Sequence, residues 1–407
     1  QNRMTDMKQF VRNRTAAVLA QIPQAISVTT APDLQGDLPY TTSSQVSLAG
    51  QAHAAKTRRV TVNGEPAVWS ARHATWSADE VRLMPGINRV VIQALGVDGE
   101  EVDRSSIDIW SDTGAMTIKA GGPLLADEVW TAAAGPYRVT GTITVPAGRT
   151  LTIQAGTTVF LDGDCGFVVQ GCLVAQGSEY ARIRLTRRPG TTDTWAGLRF
   201  DHTLQGNCLA CVDIEYGDSQ GLCTDVQYSR VLIDHVTWGQ TDATVLELNH
   251  PTVVVRDCVF PSVGGTEPVH GKGLTGEECL IFERCTFGTA TGYNDILDFA
   301  GGLRPGPILQ VYDCLFLGGA DDGLDLDGAD AHVEGCVFTN FRSSENESSS
   351  NAVATGQDGG HASEVWAARN VFVDNDHAAL LKEGGFLFAE NNTLVRSGLA
   401  AIQFGEP

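Results

Sequence analysis

The carboxylates best suited to chemistry are concentrated in the last third of the sequence. They fall in two short alternating segments, Leu297-Asp-Phe-Ala300 and Leu324-Asp-Leu-Asp327, and just before the second one. Ca²⁺ takes six to eight oxygen ligands from carboxylates, amides and carbonyls, at about 2.3–2.6 Å. We therefore predict a Ca²⁺ site whose ligands are Asp298, Asp322, Asp325 and Asp327. The spacing differs from that of an EF-hand loop, so a solvated acidic turn is the alternative interpretation.

Two further side chains and one of these carboxylates are candidates for proton transfer. A Lys or His beside a bound cation is able to remove a proton from carbon, and a carboxyl group is able to act as general acid or base. The candidates are Lys382, His377 and Asp325, with Arg199 or Lys272 as a helper. Lys382 is followed by Glu383, and a surface ion pair between the two is the alternative.

These residues act together only if the chain stacks them, and a sequence repeat predicts such stacking. A motif of a polar residue, any residue, an apolar residue and an aromatic residue recurs, as in Asp257-Cys-Val-Phe260, Arg284-Cys-Thr-Phe287 and Asp313-Cys-Leu-Phe316. Its spacing indicates a coil of about 22 residues with loop insertions. The segments around Asp298 and Asp325 belong to a second motif, halfway round each coil.

Two strands per coil would place the second motif on one outer wall, because each strand pairs with its equivalents about 4.8 Å away. We predict that Asp298 lies directly beside Asp325 on this wall. Carboxylates stacked at that spacing repel one another, so a cation, a raised pKa or an interleaved Lys or Arg must offset the repulsion. The same alignment predicts two outward columns, which are Arg199, Cys223, Glu247, Asp298, Asp325, Val353 and Leu380, and Asp201, Asp225, Asn249, Ala300, Asp327, Thr355 and Lys382.

From residue 119 onward the sequence resembles the right-handed parallel β-helix. The resemblance begins with Gly141-Thr-Ile-Thr-Val145 and Leu151-Thr-Ile153 and covers about residues 125–407. Nearer the carboxyl end, four segments resemble the β-helix segments of large secreted bacterial proteins that carry CotH-type kinase and lamin-tail domains. These segments are Asp321–Gly328, Ser350–Gly356, Asn375–Gly384 and Glu390–Leu394. The resemblance implies an extracellular or cell-surface location. Because no kinase domain is recognisable in the sequence, we do not expect phosphotransfer activity.

Two smaller segments precede the repeat. Residues 1–23 are predicted to form an amphipathic helix, which resembles the closing helix of such a kinase domain and ends at Pro23. Residues 24–118 are predicted to form an immunoglobulin-like β-sandwich, with turn signals such as Asn63-Gly64 and Asp98-Gly99 between strand-like runs. The predicted fold class is therefore mainly β, with a right-handed parallel β-helix over residues 119–407.

The composition limits the partners and the redox chemistry. The chain has 28 Lys and Arg against 49 Asp and Glu, a net charge of −21, so binding to nucleic acid is disfavoured. No apolar run reaches the roughly 18 residues of a membrane span. Four cysteines hold one register position, and they predict either a ladder of buried thiols or disulfides between neighbouring coils, the latter implying export. These are Cys258, Cys285, Cys314 and Cys336.

Two functional hypotheses follow from the acidic wall and the resemblance, because related β-helix enzymes hold acidic polysaccharides along such a face. The first is a non-catalytic module of a larger secreted protein. It would bind Ca²⁺ and present a face to extracellular polysaccharide or to neighbouring copies, with end-to-end contact at the last coil. The alternative is a Ca²⁺-assisted lyase or a glycoside hydrolase acting on an acidic polysaccharide. The motif sets of pectin hydrolases and alginate lyases are not present in order, which favours the first hypothesis.

Overall fold

The computed structural model describes residues 2–19, 22–343 and 350–405, and the chain divides into two units, Gln1–Ala115 and Met116–Pro407. The first unit begins with the helix Asn2–Leu19, whose side chains are exposed from Arg3 onward. Ten strands follow in two sheets. In spatial order, one contains Ser27–Thr30, Gln45–Gln51, Thr75–Arg82 and Val68–Ser70, and the other contains Leu34–Gln35, Leu38–Thr41, Glu101–Ser111, Gly86–Leu95, Arg59–Val62 and Glu65–Pro66.

Both sheets of the first unit contribute to one apolar core. Leu48 and Trp76 come from the first sheet, and Val60, Ile92 and Ile109 come from the second, each almost fully buried. Alternating strands pack in this way when two sheets lie face to face. The two sheets therefore share a sandwich-like core, and the immunoglobulin-like type of this unit stays a prediction.

The second unit is a parallel β-helix, as predicted, and three parallel sheets run along it. Sheet 1 contains Thr117–Lys119, Tyr137–Val139, Thr158–Leu161, Ile183–Thr186, Val212–Glu215, Thr237–Gly239, Val259–Phe260, Thr286–Phe287, Leu315–Phe316, Val337–Thr339, Val371–Val373 and Thr393–Val395. Sheet 2 contains Gly122–Pro123, Ile143–Val145, Phe167–Val169, Leu198–Asp201, Leu222–Gln227, Thr244–Asn249, Val269–Lys272, Leu297–Ala300, Leu324–Asp327, Val353–Asp358, Ala379–Leu381 and Ile402–Phe404. Sheet 3 contains Glu128–Trp130, Thr150–Gln154, Cys172–Gln176, Asn207–Ala210, Arg230–Asp234, Thr252–Arg256, Cys279–Glu283, Leu309–Tyr312, Ala331–Glu334, Glu364–Ala368 and Phe386–Glu390. A 3-10 turn lies at Ala132–Ala134, and the short strand His361–Ala362 pairs antiparallel with Val353–Asp358.

Each full coil therefore has three strands, and the prediction of two strands was wrong. The missed strand belongs to sheet 3 and is followed at once by the first motif. Cys279–Glu283, for example, is separated from Thr286–Phe287 only by Arg284 and Cys285. Arg284 has a φ of 52°, and this left-handed residue turns the chain without the Gly or Pro that marks a turn in sequence.

The first motif supplies a continuous stack of aromatic rings inside sheet 1. Successive rings are nearly parallel, and Phe316 lies 4.6 Å from Phe287 and 4.4 Å from Phe338 between ring centroids. The stack consists of Trp238, Phe260, Phe287, Phe316, Phe338 and Phe372. It fills the interior with apolar surface and fixes the register between coils.

The cysteine ladder consists of free, buried thiols. Each sulfur lies at the corner between sheets 3 and 1 and accepts a backbone N–H from the coil before it. Cys285 N donates to Cys314 Sγ at 3.3 Å, and Cys314 N donates to Cys336 Sγ at 3.4 Å. Asn370 continues the ladder, since its Oδ1 accepts from Cys336 N at 2.8 Å. The ladder therefore satisfies buried backbone donors.

The register of sheet 2 places Asp298 beside Asp325 and Ala300 beside Asp327, as predicted. Both predicted columns were wrong on either side of these strands; in the second column, Gln227 and not Asp225 pairs with Asp201, and Gly356 and not Thr355 pairs with Asp327. Arg199 pairs with Asp225 rather than with Cys223, whose side chain is buried. Asp325 pairs with Ala354 rather than with Val353. A shift of two residues preserves the in–out alternation of a strand, so the sequence pattern does not distinguish the two alignments around residue 223.

Candidate functional site

The outer side of sheet 2 carries a group of carboxylates over the strands from Thr244–Asn249 to Leu324–Asp327 and the turns that lead into them. We call this surface the acidic face. Its carboxylates are Glu247, Glu267, Asp295, Asp298, Asp321, Asp322, Asp325 and Asp327, and its cationic side chains are His270, Lys272 and Lys382. Inward neighbours such as Leu297, Phe299, Leu324 and Leu326 are fully buried and hold the strands in place.

The acidic face contains a column in which one imidazole interrupts the carboxylates. Glu247 pairs with His270, His270 with Asp298, and Asp298 with Asp325. His270 lies in a coil that the sequence pattern did not align. The reason is Gly271, which occupies an inward position filled by Leu248 and Phe299 in the adjacent coils. A Cβ at Gly271 would lie 2.7 Å from Leu248 and 3.2 Å from Phe299, so the glycine makes room for its larger neighbours.

A second line of polar groups crosses four coils at the turn that enters sheet 2. Asp322 N donates to Asp295 Oδ1 at 2.9 Å, and Asn351 donates to Asp322 Oδ1 from its backbone N at 2.9 Å and from Nδ2 at 2.7 Å. Asn351 Oδ1 lies 2.8 Å from His377 Nδ1. These bonds hold the Asp322 carboxylate in a fixed orientation, with both bonds from Asn351 on one of its oxygens.

Three carboxylates form the first cluster that is able to hold a cation. One oxygen from each of Asp295, Asp321 and Asp322 lies within 4.8 Å of the other two. Burial, followed by the charges of Asp325 and Asp321, raises the pKa of Asp322 to about 8. Burial and the charge of Asp322 raise the pKa of Asp295 well above its usual range. All donors here are oxygens, the ligand type of Ca²⁺ and Mg²⁺.

The second cluster consists of Glu267, His270 and Asp298, again within 4.8 Å of one another. His270 Nδ1 lies 2.9 Å from Glu247 Oε2, and His270 Nε2 lies 3.7 Å from Asp298 Oδ2. The hydrogen bond with Glu247 raises the pKa of His270 to about 9, so this imidazole is cationic at neutral pH. Burial, with the charge of Glu267, raises the pKa of Asp298 to about 6. An imidazolium is an internal counter-charge and not a metal ligand, because a ligand nitrogen must be deprotonated.

Lys382 neutralises part of the acidic face from the next coils. Its Nζ lies 3.5 Å from Asp325 Oδ1, and Glu383 instead accepts the backbone N–H of Gln357 at 3.0 Å. Burial lowers the pKa of Lys382, but Asp325, Asp322 and Asp327 outweigh burial and raise it above the ordinary value. Burial raises the pKa of Asp325 to about 6 although Lys382 acts in the opposite direction. A charged Lys382 beside Asp325 is suited to binding anions and not to removing a proton at neutral pH.

The candidate residues from the sequence are thus brought to one face but divided among different neighbours. Asp322 belongs to the first cluster, Asp298 to the second, and Asp325 to the ion pair with Lys382. The four predicted Ca²⁺ ligands do not together make up any of the three clusters found among the described residues, the third of which is Asp234, His235 and Asp257, outside the acidic face. His377 is 1% exposed, and burial lowers its pKa, so it is a neutral interior group behind Asn351. Glu267 and His270 were missed because their coil carries a loop and a glycine that hide its register.

No family model matches the chain, and no curated protein matches it. Among solved structures, the chain is similar to a family 28 exopolygalacturonase from Yersinia enterocolitica, with a TM-score of 0.33 and 10% sequence identity, over 95% of this chain and 98% of that one. Among the described residues, no helix combines the length and the apolar character that crossing a bilayer requires.

Proposed function

We propose that this chain is a non-catalytic β-helix module of a secreted or cell-surface protein, which binds Ca²⁺ on its acidic face and presents that face to polysaccharide or to neighbouring copies. The observation that carries the proposal is the cluster of Asp295, Asp321 and Asp322, three carboxylates with oxygens within 4.8 Å of one another. Like charges at that distance are costly in a partly buried site unless a cation or protons offset them.

Calcium fits this cluster better than zinc or copper does. The donors are hard oxygens, and an imidazole or thiolate that would select zinc or copper is not among them. Three carboxylates supply between three and six oxygens, and solvent or a ligand's oxygens complete the shell of six to eight. Surface sites of extracellular modules bind Ca²⁺ with a Kd on the order of 10⁻⁴ to 10⁻³ M, and we expect this range.

A bound cation would also explain how such an acidic chain binds an acidic polymer. The net charge of −21 repels polyanions, whereas Ca²⁺ with open coordination positions bridges protein carboxylates to those of a polysaccharide or of a second copy. Lys272 and Lys382 at the borders of the face add direct attraction. The acidic face would then bind acidic partners only when Ca²⁺ is present.

Isothermal titration calorimetry of Ca²⁺ tests the cation site. We expect saturable binding by the wild type and loss of at least tenfold in affinity for Asp322→Asn, about 1.4 kcal/mol. The amide of the variant keeps an oxygen for the two Asn351 bonds, so the fold should persist. Asp193→Asn, a change at an exposed carboxylate outside the acidic face, is the matched control and should bind as the wild type does. Equal binding by all three proteins, or by none, would sink the proposal.

A second candidate function is polysaccharide hydrolysis, and one observation favours it. The carboxyl groups of the acidic face have separated pKa values, about 8 for Asp322 and about 6 for Asp298 and Asp325. A protonated carboxyl beside an ionised one is the pattern of a general acid and its partner base or nucleophile. In this reading Asp322 donates the proton and Asp325 or Asp298 acts as base or nucleophile.

Incubation with a panel of uronate and neutral polysaccharides separates the two functions. The module proposal predicts no new reducing ends and no unsaturated product on any polymer, with or without Ca²⁺. Product formation by the wild type that disappears in Asp325→Asn, with Asp193→Asn unaffected, would establish the enzyme instead. Lys382→Ala tests the lyase form of the same alternative.

A further inference from the structure

A pocket lined by aromatic side chains lies on the outer side of sheet 3, away from the strands of the acidic face. Its volume is about 290 Å³, near the lower end for small-ligand pockets. Trp366, Phe386 and Phe388 line it and are 42%, 58% and 50% exposed. Large aromatic side chains in a group are costly to leave in water, so this patch is a candidate binding surface.

The strand register builds the pocket. His332, Trp366 and Phe388 are direct neighbours in three successive strands of sheet 3, and Glu364 is paired with Phe386. The His332 ring stacks on the Trp366 indole at 5.1 Å and 13°, whereas Phe388 meets it edge-on at 5.6 Å and 84°. The indole is therefore held between two rings, and the pocket is preformed.

Polar groups surround this apolar centre and include both donors and acceptors. Arg304 Nη1 donates to the Glu364 carbonyl at 2.7 Å and Nη2 to the Ala331 carbonyl at 3.0 Å, which fixes the guanidinium at the pocket. The exposed side chains of Glu364 and Glu390 add acceptors on the same lining. An apolar ligand would cover these polar groups and offer them no hydrogen-bond partners in place of water, which is costly.

We propose that this pocket binds a neutral saccharide, as a single sugar ring or a short segment of a glycan. A pyranose has a C–H face that packs on the negative face of an aromatic ring, and hydroxyls at its rim that both donate and accept hydrogen bonds. Arg304 matches the accepting hydroxyl oxygens, and Glu364 and Glu390 match the donating ones. A uronate would face the two Glu side chains, and an organic cation would face Arg304. The inference goes beyond the proposed function, because the pocket lies on another sheet and needs no cation.

Saturation-transfer NMR with neutral oligosaccharides tests this site in the presence of EDTA, so that cation binding plays no part. The probes are tetrasaccharides of glucose, mannose, galactose and xylose, with a galacturonate tetramer for comparison. We expect transfer to at least one neutral probe, with affinity reduced roughly tenfold or more in Trp366→Ala and retained in part in Trp366→Phe. Phe10→Ala, at an exposed phenylalanine of the N-terminal helix, is the control and should bind normally.

Three outcomes would overturn the inference. The first is no binding of any neutral probe by a folded wild type, and the second is binding that Trp366→Ala leaves unchanged. The third is self-association of the wild type that Trp366→Ala abolishes, because the aromatic patch would then be an interface between copies. If Trp366→Ala does not fold, Trp366→Phe and Phe388→Ala decide between these outcomes. Failure of this test leaves the calcium titration unaffected, so the two proposals are distinguished.

Discussion

The aromatic stack inside sheet 1 and the acidic face outside sheet 2 both arise from stacking of equivalent residues in successive coils, but the first arrangement is stabilising and the second is repulsive. Each repeats one residue type from coil to coil at nearly the same spacing. Stacked phenylalanines bury apolar area and gain ring–ring attraction, so the stack from Trp238 to Phe372 stabilises itself. Stacked carboxylates repel, and the fold needs counter-charges beside them.

The acidic face meets this need only in part. His270 lies between Glu247 and Asp298, and Lys382 lies beside Asp325. The pKa values of Asp295 and Asp322 nevertheless stay raised, because burial and the neighbouring carboxylates outweigh the opposing influences, which for Asp322 include the charge of Lys382. A repeat alone therefore stabilises an apolar column, whereas an acidic column needs protons or cations to offset the repulsion between its carboxylates.

The largest expected effect is a break in the apolar stack. Phe316→Ala should lower the free energy of unfolding by about 3–5 kcal/mol, because it opens a cavity between Phe287 and Phe338. Chemical denaturation of the variant measures the loss. Phe404→Ala removes a ring that is 78% exposed and should change stability by less than about 0.5 kcal/mol. Equal losses in both variants would show that the stack is not a source of stability.

The next effect is a pH dependence that belongs to the acidic face. The folded-state pKa values of Asp298 and Asp325 are about 6, above the ordinary 3.8, and that of His270 is about 9, above 6.5. Folding therefore favours proton binding by these groups. At low pH, proton binding by these groups makes its full contribution to the free energy of unfolding. The contribution of the two carboxyls disappears as the pH rises through about 6, and that of the imidazole disappears as the pH rises through about 9.

In EDTA, stability should consequently fall between about pH 5 and pH 9, by on the order of 2 kcal/mol after allowance for solvent screening. Urea unfolding across this range is the measurement. Asp298→Asn should flatten the lower part of the curve. Stability that rises steadily from pH 5 to pH 9 in EDTA would be the opposite of this expectation.

The smallest effect concerns the cysteine ladder. Cys336→Ala removes the acceptor of the Cys314 N–H, so we expect a loss of about 1 kcal/mol. Cys336→Asn should cost less, because Asn370 in the next coil accepts the Cys336 N–H and donates to the Val333 carbonyl from the same register position. Thermal unfolding of the two variants compares them. A more stable Ala variant would show that the sulfur is only a filler.

The stacking of the coils was predictable from sequence because it depends on a strict alternation in well-spaced motifs. Asp298 and Asp325 were aligned correctly since each is flanked by two inward apolar residues. The third strand of the coil was missed because a single left-handed residue turns the chain at this corner, and in some coils this residue is an arginine, such as Arg284 or Arg369, which gives no turn signal.

The grouping of the site residues was less predictable from sequence. Asp295, Asp321 and Asp322 lie in turns of variable length, where no alternation fixes the direction of a side chain. Gly271 breaks the apolar alternation in the coil that carries His270, so the register of this coil was not recognised. The reason for the glycine is the space taken by Leu248 and Phe299 in the adjacent coils. Neither the direction of these side chains nor the reason for this glycine is predictable before the contacts between neighbouring coils are known.

Thermal unfolding of the wild type and Asp322→Asn near pH 9, above the pKa of about 8 of Asp322, each in EDTA and in excess Ca²⁺, tests the central claim most directly. We predict that Ca²⁺ raises the wild-type Tm. At a Ca²⁺ concentration of a hundred times Kd, the increase corresponds to about 2.7 kcal/mol of added stability. Asp322→Asn should unfold at a higher temperature than the wild type in EDTA, because one repelling charge is gone, and should no longer respond to Ca²⁺. A wild-type Tm that Ca²⁺ does not change, with Asp322→Asn less stable than the wild type in EDTA, would contradict the claim that the acidic face needs a cation.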